Sequence, residues 1–289
     1  MSDRDPMTGP ETVGDHGPVT DHDPNDHRPL LGRRALLLGG SVAALAAAAA
    51  AWELWPAPDA GPAPFRPALG PDGLVTNEYA FRNQQAADAR VSQDWVATSG
   101  SLFARDGAGW TGAPDGDSPG PASDRHTGSS VFRLVTRRRD FGDCQVTARV
   151  RLQAPGTTGR TPSQDWDGAH LWLRYRSPQQ LYALSFRRRD GHVEIKRKTP
   201  GPDADTSDQG DYRTLAEGKH SFPYGEWHEV GASARTMPDG RVHLTLTVDG
   251  ATVLETVDDD PERLTAPGGV GLRGDNTDLE FRDFRIGSY

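Results

Sequence analysis

His170, Trp172 and Arg174 alternate along one short segment of the chain, Arg187 follows in a second, and Lys196 and Lys198 in a third. Guanidinium and ammonium groups bind carboxylates and sulfates, an indole face stacks on an apolar ring face, and an imidazole moves protons near neutral pH. Grouped on one surface, these six residues suit an anionic or saccharide chain. The carboxylate pair that glycosidic hydrolysis requires is harder to find. The nearest string is Asp278-Leu279-Glu280-Phe281-Arg282-Asp283, and it reads better as the closing strand of a domain. No catalytic residue is assigned from the sequence, and no metal ligand set either.

The three segments that carry these side chains all have period two. Leu171, Leu173 and Tyr175 oppose His170, Trp172 and Arg174; Tyr182, Leu184 and Phe186 oppose Ala183, Ser185 and Arg187; Val193, Ile195 and Arg197 oppose Glu194, Lys196 and Lys198. Successive strand side chains point to opposite faces, so this pattern predicts a sheet with one apolar face and one cationic, aromatic-bearing face. A solvated sandwich exterior has the same alternation. Trp172 among the charges favours a ligand surface.

Strand signals continue on both sides. Ser101–Ala104, Val131–Val135 and Asp143–Leu152 precede the central group, with a polar loop over Gln153–Gly168. Trp227–Ala234, with Trp227 expected in the core, leads to Arg241–Val248, where Val242, Leu244, Leu246 and Val248 alternate with polar residues. Asp249-Gly250 is a hairpin signal because both residue types tolerate positive φ. Thr252–Val257, Val270–Arg273 and Leu279–Ile286 complete the series. No long period of 3.6 follows Trp55, so the fold class is all-β, a two-sheet jelly-roll sandwich over residues 74–289.

The chain of 289 residues carries a formal charge of −9, which argues against a general nucleic-acid binder. Its single cysteine, Cys144, excludes a disulfide framework and a thiolate zinc cluster. Residues 1–34 are acidic and poor in large apolar side chains, so they are expected to be disordered. Residues 35–55 form an apolar run expected to be one helix, a signal or an anchor, and 56–73 form a Pro/Gly/Ala-rich spacer. Gly32-Arg33-Arg34 followed by Ala35-Leu36-Leu37-Leu38 resembles a twin-arginine export signal. Cleaved, the segment would release the domain; retained, it is long enough to hold it on a membrane. Both outcomes place the β domain outside the cytoplasm, at the cell surface or secreted.

Phe141-Gly142-Asp143, Gly168 with Leu171-Trp172-Leu173-Arg174-Tyr175, Leu181-Tyr182, Trp227-His228-Glu229-Val230, Val248-Asp249-Gly250, Gly269-Val270-Gly271-Leu272-Arg273 and Phe281-Arg282-Asp283-Phe284 occur in that order. This succession resembles the concanavalin A-like lectin/glucanase superfamily, in particular its laminin-G-like and keto-disaccharide-hydrolase-like jelly rolls. The resemblance implies a concave sheet on which polysaccharides are bound or cleaved, and in some members a structural calcium. Gly274-Asp275-Asn276-Thr277-Asp278 and Asp258-Asp259-Asp260 are the oxygen-rich turns that could hold such an ion. No other cofactor is expected. The expected partner is therefore a glycan, with an acidic polysaccharide favoured by His170, Trp172, Arg174, Arg187, Lys196 and Lys198. Two rivals stand beside it. One is a secreted glycoside hydrolase or polysaccharide lyase, with His170 and Arg174 as proton-abstracting and uronate-neutralising groups; the other is an envelope interaction module.

Overall fold

The computed structural model describes residues 63–112, 131–157, 159, 161–201 and 210–289. The acidic tail, the paired arginines and the apolar run at 35–55 lie outside the described residues. Among the described residues no helix is long and apolar enough to cross a membrane.

Fifteen strands and one short helix, α1 (Tyr79–Arg82), make up the described fold. The strands are β1 (Gly73–Asn77), β2 (Trp95–Ser99), β3 (Ser101–Arg105), β4 (Ala108–Trp110), β5 (Val131–Thr136), β6 (Cys144–Leu152), β7 (Gly168–Ser177) and β8 (Gln180–Arg188), followed by β9 (His192–Thr199), β10 (Asp211–Lys219), β11 (Trp227–Thr236), β12 (Val242–Val248), β13 (Ala251–Asp258), β14 (Gly269–Asp275) and β15 (Leu279–Ser288). They form an eight-stranded sheet in the order β1-β3-β4-β15-β6-β11-β12-β13 and a seven-stranded sheet in the order β10-β9-β8-β7-β14-β5-β2. Successive strands change sheet at β1/β2, β2/β3, β4/β5, β5/β6, β6/β7, β10/β11, β13/β14 and β14/β15. This is the expected jelly-roll sandwich.

Period two builds the interior. Val146, Ala148 and Val150 of β6 and Val230, Ala232 and Ala234 of β11 face Leu171, Leu173, Leu184, Phe186 and Ile195 of the other sheet, all within 3 % of full burial. Burying one such large aliphatic side chain contributes about 1.5–3 kcal/mol. Cys144 shares this interior, and burial pushes its thiol pKa up to about 12. It is packing material rather than a nucleophile. Asp249 and Gly250 both take positive φ at the β12–β13 turn, as the sequence predicts.

Three expectations about facing are corrected. Trp227 does not enter the core; it is half-buried on the outer face of the eight-stranded sheet, between the guanidinium groups of Arg151 and Arg282 at 4.9 and 4.4 Å from its ring. Tyr175 and Arg174 exchange sides, and Arg187 yields its place to Arg188, for reasons given with the site. Strand β10 has no counterpart in the sequence reading, because its pattern is exposed along most of its length. An edge strand with little buried surface leaves no apolar alternation to detect. The end of the Pro-rich segment is also tied to the domain, since Phe65 exchanges backbone hydrogen bonds with Ile286 at 2.8 and 2.9 Å.

Candidate functional site

The outer face of the seven-stranded sheet is laid out in cross-strand rows. One row runs Arg133 (β5), Arg273 (β14), His170 (β7), Ser185 (β8) and Glu194 (β9). The next runs Val135, Gly271, Trp172, Ala183 and Lys196. Gly271 cannot carry a side chain here, because a Cβ would meet the Leu134 carbonyl oxygen at 2.5 Å and Val135 at 2.8 Å. Above these rows opens a cavity of about 440 Å³, in the size range of small-molecule sites.

Two backbone irregularities decide which side chains reach it. At Arg174 φ is +49°, and the β7–β14 register slips between Gly269 and Gly271. The bulge turns Arg174 inward and Tyr175 outward. Arg174 is fully buried between the sheets, where its guanidinium donates to the carbonyls of Gly142 and Leu264, to Asp143 Oδ1 at 2.8 Å and to Thr236 Oγ1 at 2.9 Å. These bonds offset a backbone conformation that costs a non-glycine residue about 1–2 kcal/mol. Tyr175 instead stacks on Trp172, ring centroids 5.4 Å apart, in a small outer apolar cluster with Val135, Leu181 and Ala183.

The second slip lies in β8. Ala169 pairs with Arg187, whereas His170 pairs with Ser185. The extra residue turns Arg187 to the interior side, over the Tyr224 ring at 4.5 Å, and brings Arg188 to the cavity. Of the six residues predicted from the sequence, the cavity therefore gathers His170, Trp172, Lys196 and Lys198, and leaves out Arg174 and Arg187.

It also gathers residues that the sequence did not single out: Arg133, Arg188, Arg273, Glu194, Asp275, Trp166 and Tyr212. Trp166 is 40 % exposed and Tyr212 is 45 % exposed, both large rings left open to solvent at the cavity. Trp166 stands on a turn held from below by Asp167, whose carboxylate accepts from the Gln164 amide at 3.0 Å, Asn276 Nδ2 at 3.1 Å and Arg189 at 2.9 Å. Gly168 then leads into β7 at φ +146°, where a Cβ would meet the Arg187 carbonyl at 2.1 Å. A tryptophan within the otherwise polar run Gln164-Asp165-Trp166-Asp167 was the available signal for this position. Tyr212 lies under the Lys198 ammonium, 4.8 Å from the ring centroid.

Cations outnumber carboxylates in the described lining of the cavity. Among the described residues its lining carries Arg133, Arg188, Lys196, Lys198 and Arg273 against Glu194 and Asp275. Glu194 takes Arg188 and, at 2.7 Å, Lys196. Burial works to raise its pKa, but those hydrogen bonds and charges hold it below the usual carboxylate range. Asp275 is fully buried; burial opposes its ionisation, yet the Arg273 charge and the His170 hydrogen bond bring its pKa to about 2. Arg273 reaches both Asp275 oxygens at 2.8–3.1 Å. His170 bonds Asp275 through Nε2 at 3.0 Å and Ser185 Oγ through Nδ1 at 2.7 Å. Burial lowers its pKa in spite of Asp275, so the ring is neutral near pH 7.

The two oxygen-rich turns do not fit a calcium ion. Asp275 is engaged by Arg273 and His170, and Asp258 accepts from Arg197 at 2.8 Å and from the Tyr182 hydroxyl at 2.8 Å. A divalent cation placed there would meet a guanidinium already bound to the same carboxylate. No group of three or more metal-ligating side chains occurs among the described residues.

No protein-family model matches the chain, and no curated protein matches it. Solved structures do resemble it in backbone. The carbohydrate-binding module CBM66 from Bacillus subtilis is 10 % identical with a TM-score of 0.47, over 67 % of this chain and 95 % of that one. The Emp46p carbohydrate recognition domain, in its metal-free form, is 10 % identical with a TM-score of 0.47, over 77 % and 98 %. A legume lectin-like domain from Entamoeba histolytica is 5 % identical with a TM-score of 0.46, over 68 % and 91 %.

Proposed function

We propose that this chain is a glycan-binding jelly-roll protein of the concanavalin A-like type, and that the cavity on its seven-stranded sheet holds an acidic saccharide. One observation carries the reading: two solvent-exposed rings, Trp166 and Tyr212, flank a cavity lined by five cations and two carboxylates. Exposed rings offer apolar faces on which a pyranose can stack, and the guanidinium and ammonium groups of the lining complement a uronate or a sulfate. The lyase variant of this reading loses its support, because Arg174 is buried between the sheets and does not share the cavity with His170.

Calorimetric titration with matched acidic and neutral oligosaccharides tests it. Acidic chains should bind, more weakly as salt rises, and Trp166→Ala should lower affinity about ten-fold, or about 1.4 kcal/mol. Absence of binding by acidic chains, or equal affinity for neutral ones, overturns the reading. As part of the same proposal, Arg33, Arg34 and the apolar run after them send the domain out of the cytoplasm to its ligand. Replacing both arginines by lysine should leave a fused reporter inside the cell.

A further inference from the structure

Asp275, His170 and Ser185 form a continuous hydrogen-bonded chain across three adjacent strands, and all three line the same cavity. The direction of the chain follows from its anionic end. Asp275 already accepts from Arg273 on both oxygens and is an acceptor only, so the hydrogen on His170 must sit on Nε2. Nδ1 of the neutral ring is then a lone pair, 2.7 Å from Ser185 Oγ, and receives the hydroxyl proton. A carboxylate that orients an imidazole, and an imidazole that accepts from a serine hydroxyl, are the three parts of an activated oxygen nucleophile. Chain order and ring-nitrogen usage do not define such a device; its roles and geometry do. Two cations stand beside it: Arg188 and Arg273 line the cavity, and both charges act on His170. Arg188 Nε has no hydrogen-bond acceptor among the described residues, although the residue is only 8 % exposed.

We propose that Ser185 is a nucleophile for acyl transfer and that the cavity hydrolyses a short-chain acyl ester. For the alcohol that carries the ester, the proposal rests on the glycan reading above, which makes it an O-acylated acidic saccharide. Ser185 Oγ forms a bond to the acyl carbon while its proton passes to His170 Nδ1. The carbonyl π pair moves onto oxygen, where the guanidinium side of the cavity complements the negative charge. Collapse breaks the carbon–alkoxide bond, and the leaving oxygen takes the proton from His170. Water then attacks the acyl-serine, gives one proton through Nδ1 back to Ser185 Oγ, and releases the carboxylic acid. The net change is ester plus water to alcohol plus acid. Asp275 touches no reacting atom; it holds the ring and stabilises the imidazolium as a positioning residue.

The test needs no saccharide. Incubation with a fluorophosphonate probe, followed by peptide mass spectrometry, should place one covalent adduct on Ser185, and a generic acetyl ester should be hydrolysed at a rate lost at least 100-fold in Ser185→Ala and in His170→Gln. Ser185→Cys should restore labelling by a thiol-directed probe at the same peptide if the alanine variant proves poorly folded by near-ultraviolet circular dichroism. An unlabelled Ser185 in the folded protein, or ester hydrolysis unchanged in Ser185→Ala, overturns the proposal. Because these readouts are independent of oligosaccharide affinity, the glycan reading can fail while this one stands, and the reverse.

Discussion

Arg197 and Lys198 are neighbours on β9, both almost fully buried, and they face opposite worlds. Arg197 points between the sheets and meets Asp258 at the end of β13, with Asp260 at 3.2 Å beside it. The same Asp258 accepts the Tyr182 hydroxyl, whose oxygen accepts the Leu264 amide at 2.9 Å. The interior cation is thus neutralised by Asp258 of the other sheet and Asp260 just beyond it, and ties the two layers together. Lys198 points outward, against the Tyr212 ring, into a lining where cations outnumber carboxylates. Inside, each charge meets a carboxylate and holds a structure; in the cavity lining, among the described residues, cations outnumber carboxylates, which suits the acidic ligand proposed above.

The largest way to break this contrast is Asp258→Ala. It strands a guanidinium in the interior, and removing one partner of a buried pair costs about 3–5 kcal/mol. Urea denaturation should show that loss, whereas the paired replacement Arg197→Met with Asp258→Leu should recover most of it. Neither change should alter saccharide affinity in protein that remains folded. If Asp258→Ala weakened binding without lowering the urea midpoint, the division between interior and cavity would be wrong.

The pH dependence of stability separates the two regions more gently. The cavity side holds His170, a side chain whose protonation changes near neutral pH. Its pKa is depressed by burial, so above about pH 6.5 both folded and unfolded chains hold it neutral. As pH falls below that value the unfolded chain takes up a proton that the folded one refuses, and stability declines. Asp275 acts lower on the scale: its contribution is whole above about pH 4, the unfolded value, and disappears as pH falls toward about 2. Thermal unfolding between pH 7.5 and 5 should therefore show a downward slope with acidification that is shallower in His170→Gln. Equal slopes in the two proteins would remove His170 as its source.

How much of this was legible depended on whether strands stayed regular. Along β9 and β12 the alternation is unbroken, and the sequence placed Ile195, Lys196, Arg197, Lys198 and Val242 to Val248 on the faces they occupy. Along β7 and β8 a bulge inserts one residue, and everything beyond it changes side: Arg174 and Arg187 went in, and Tyr175 and Arg188 came out. Parity carries no information about where a bulge falls, since that is set by long-range partners such as Asp143 and Thr236 for Arg174. Arg133 and Arg273 were hidden for another reason, because they come from strands far apart in the chain and meet His170 only through sheet order. Trp166 was signalled only as one large ring in an otherwise polar run, and that signal does not carry which neighbours the loop meets.

The smallest expected effect sharpens the contrast from the cavity side. Lys196 is about a quarter exposed and pairs with Glu194, which Arg188 also holds. Partly solvated ion pairs contribute roughly 0–1 kcal/mol, and Arg188 remains to neutralise Glu194 when Lys196 is gone. Lys196→Ala should therefore leave the melting temperature within about 2 °C of the parent. It removes one positive charge from the lining, so affinity for an acidic oligosaccharide should fall only a few-fold and the salt dependence of binding should become shallower. Calorimetry at two ionic strengths measures both quantities. A large loss of stability would mean that the pair is structural, like Arg197 with Asp258, and that the outer face differs from the interior less than its excess of charge implies.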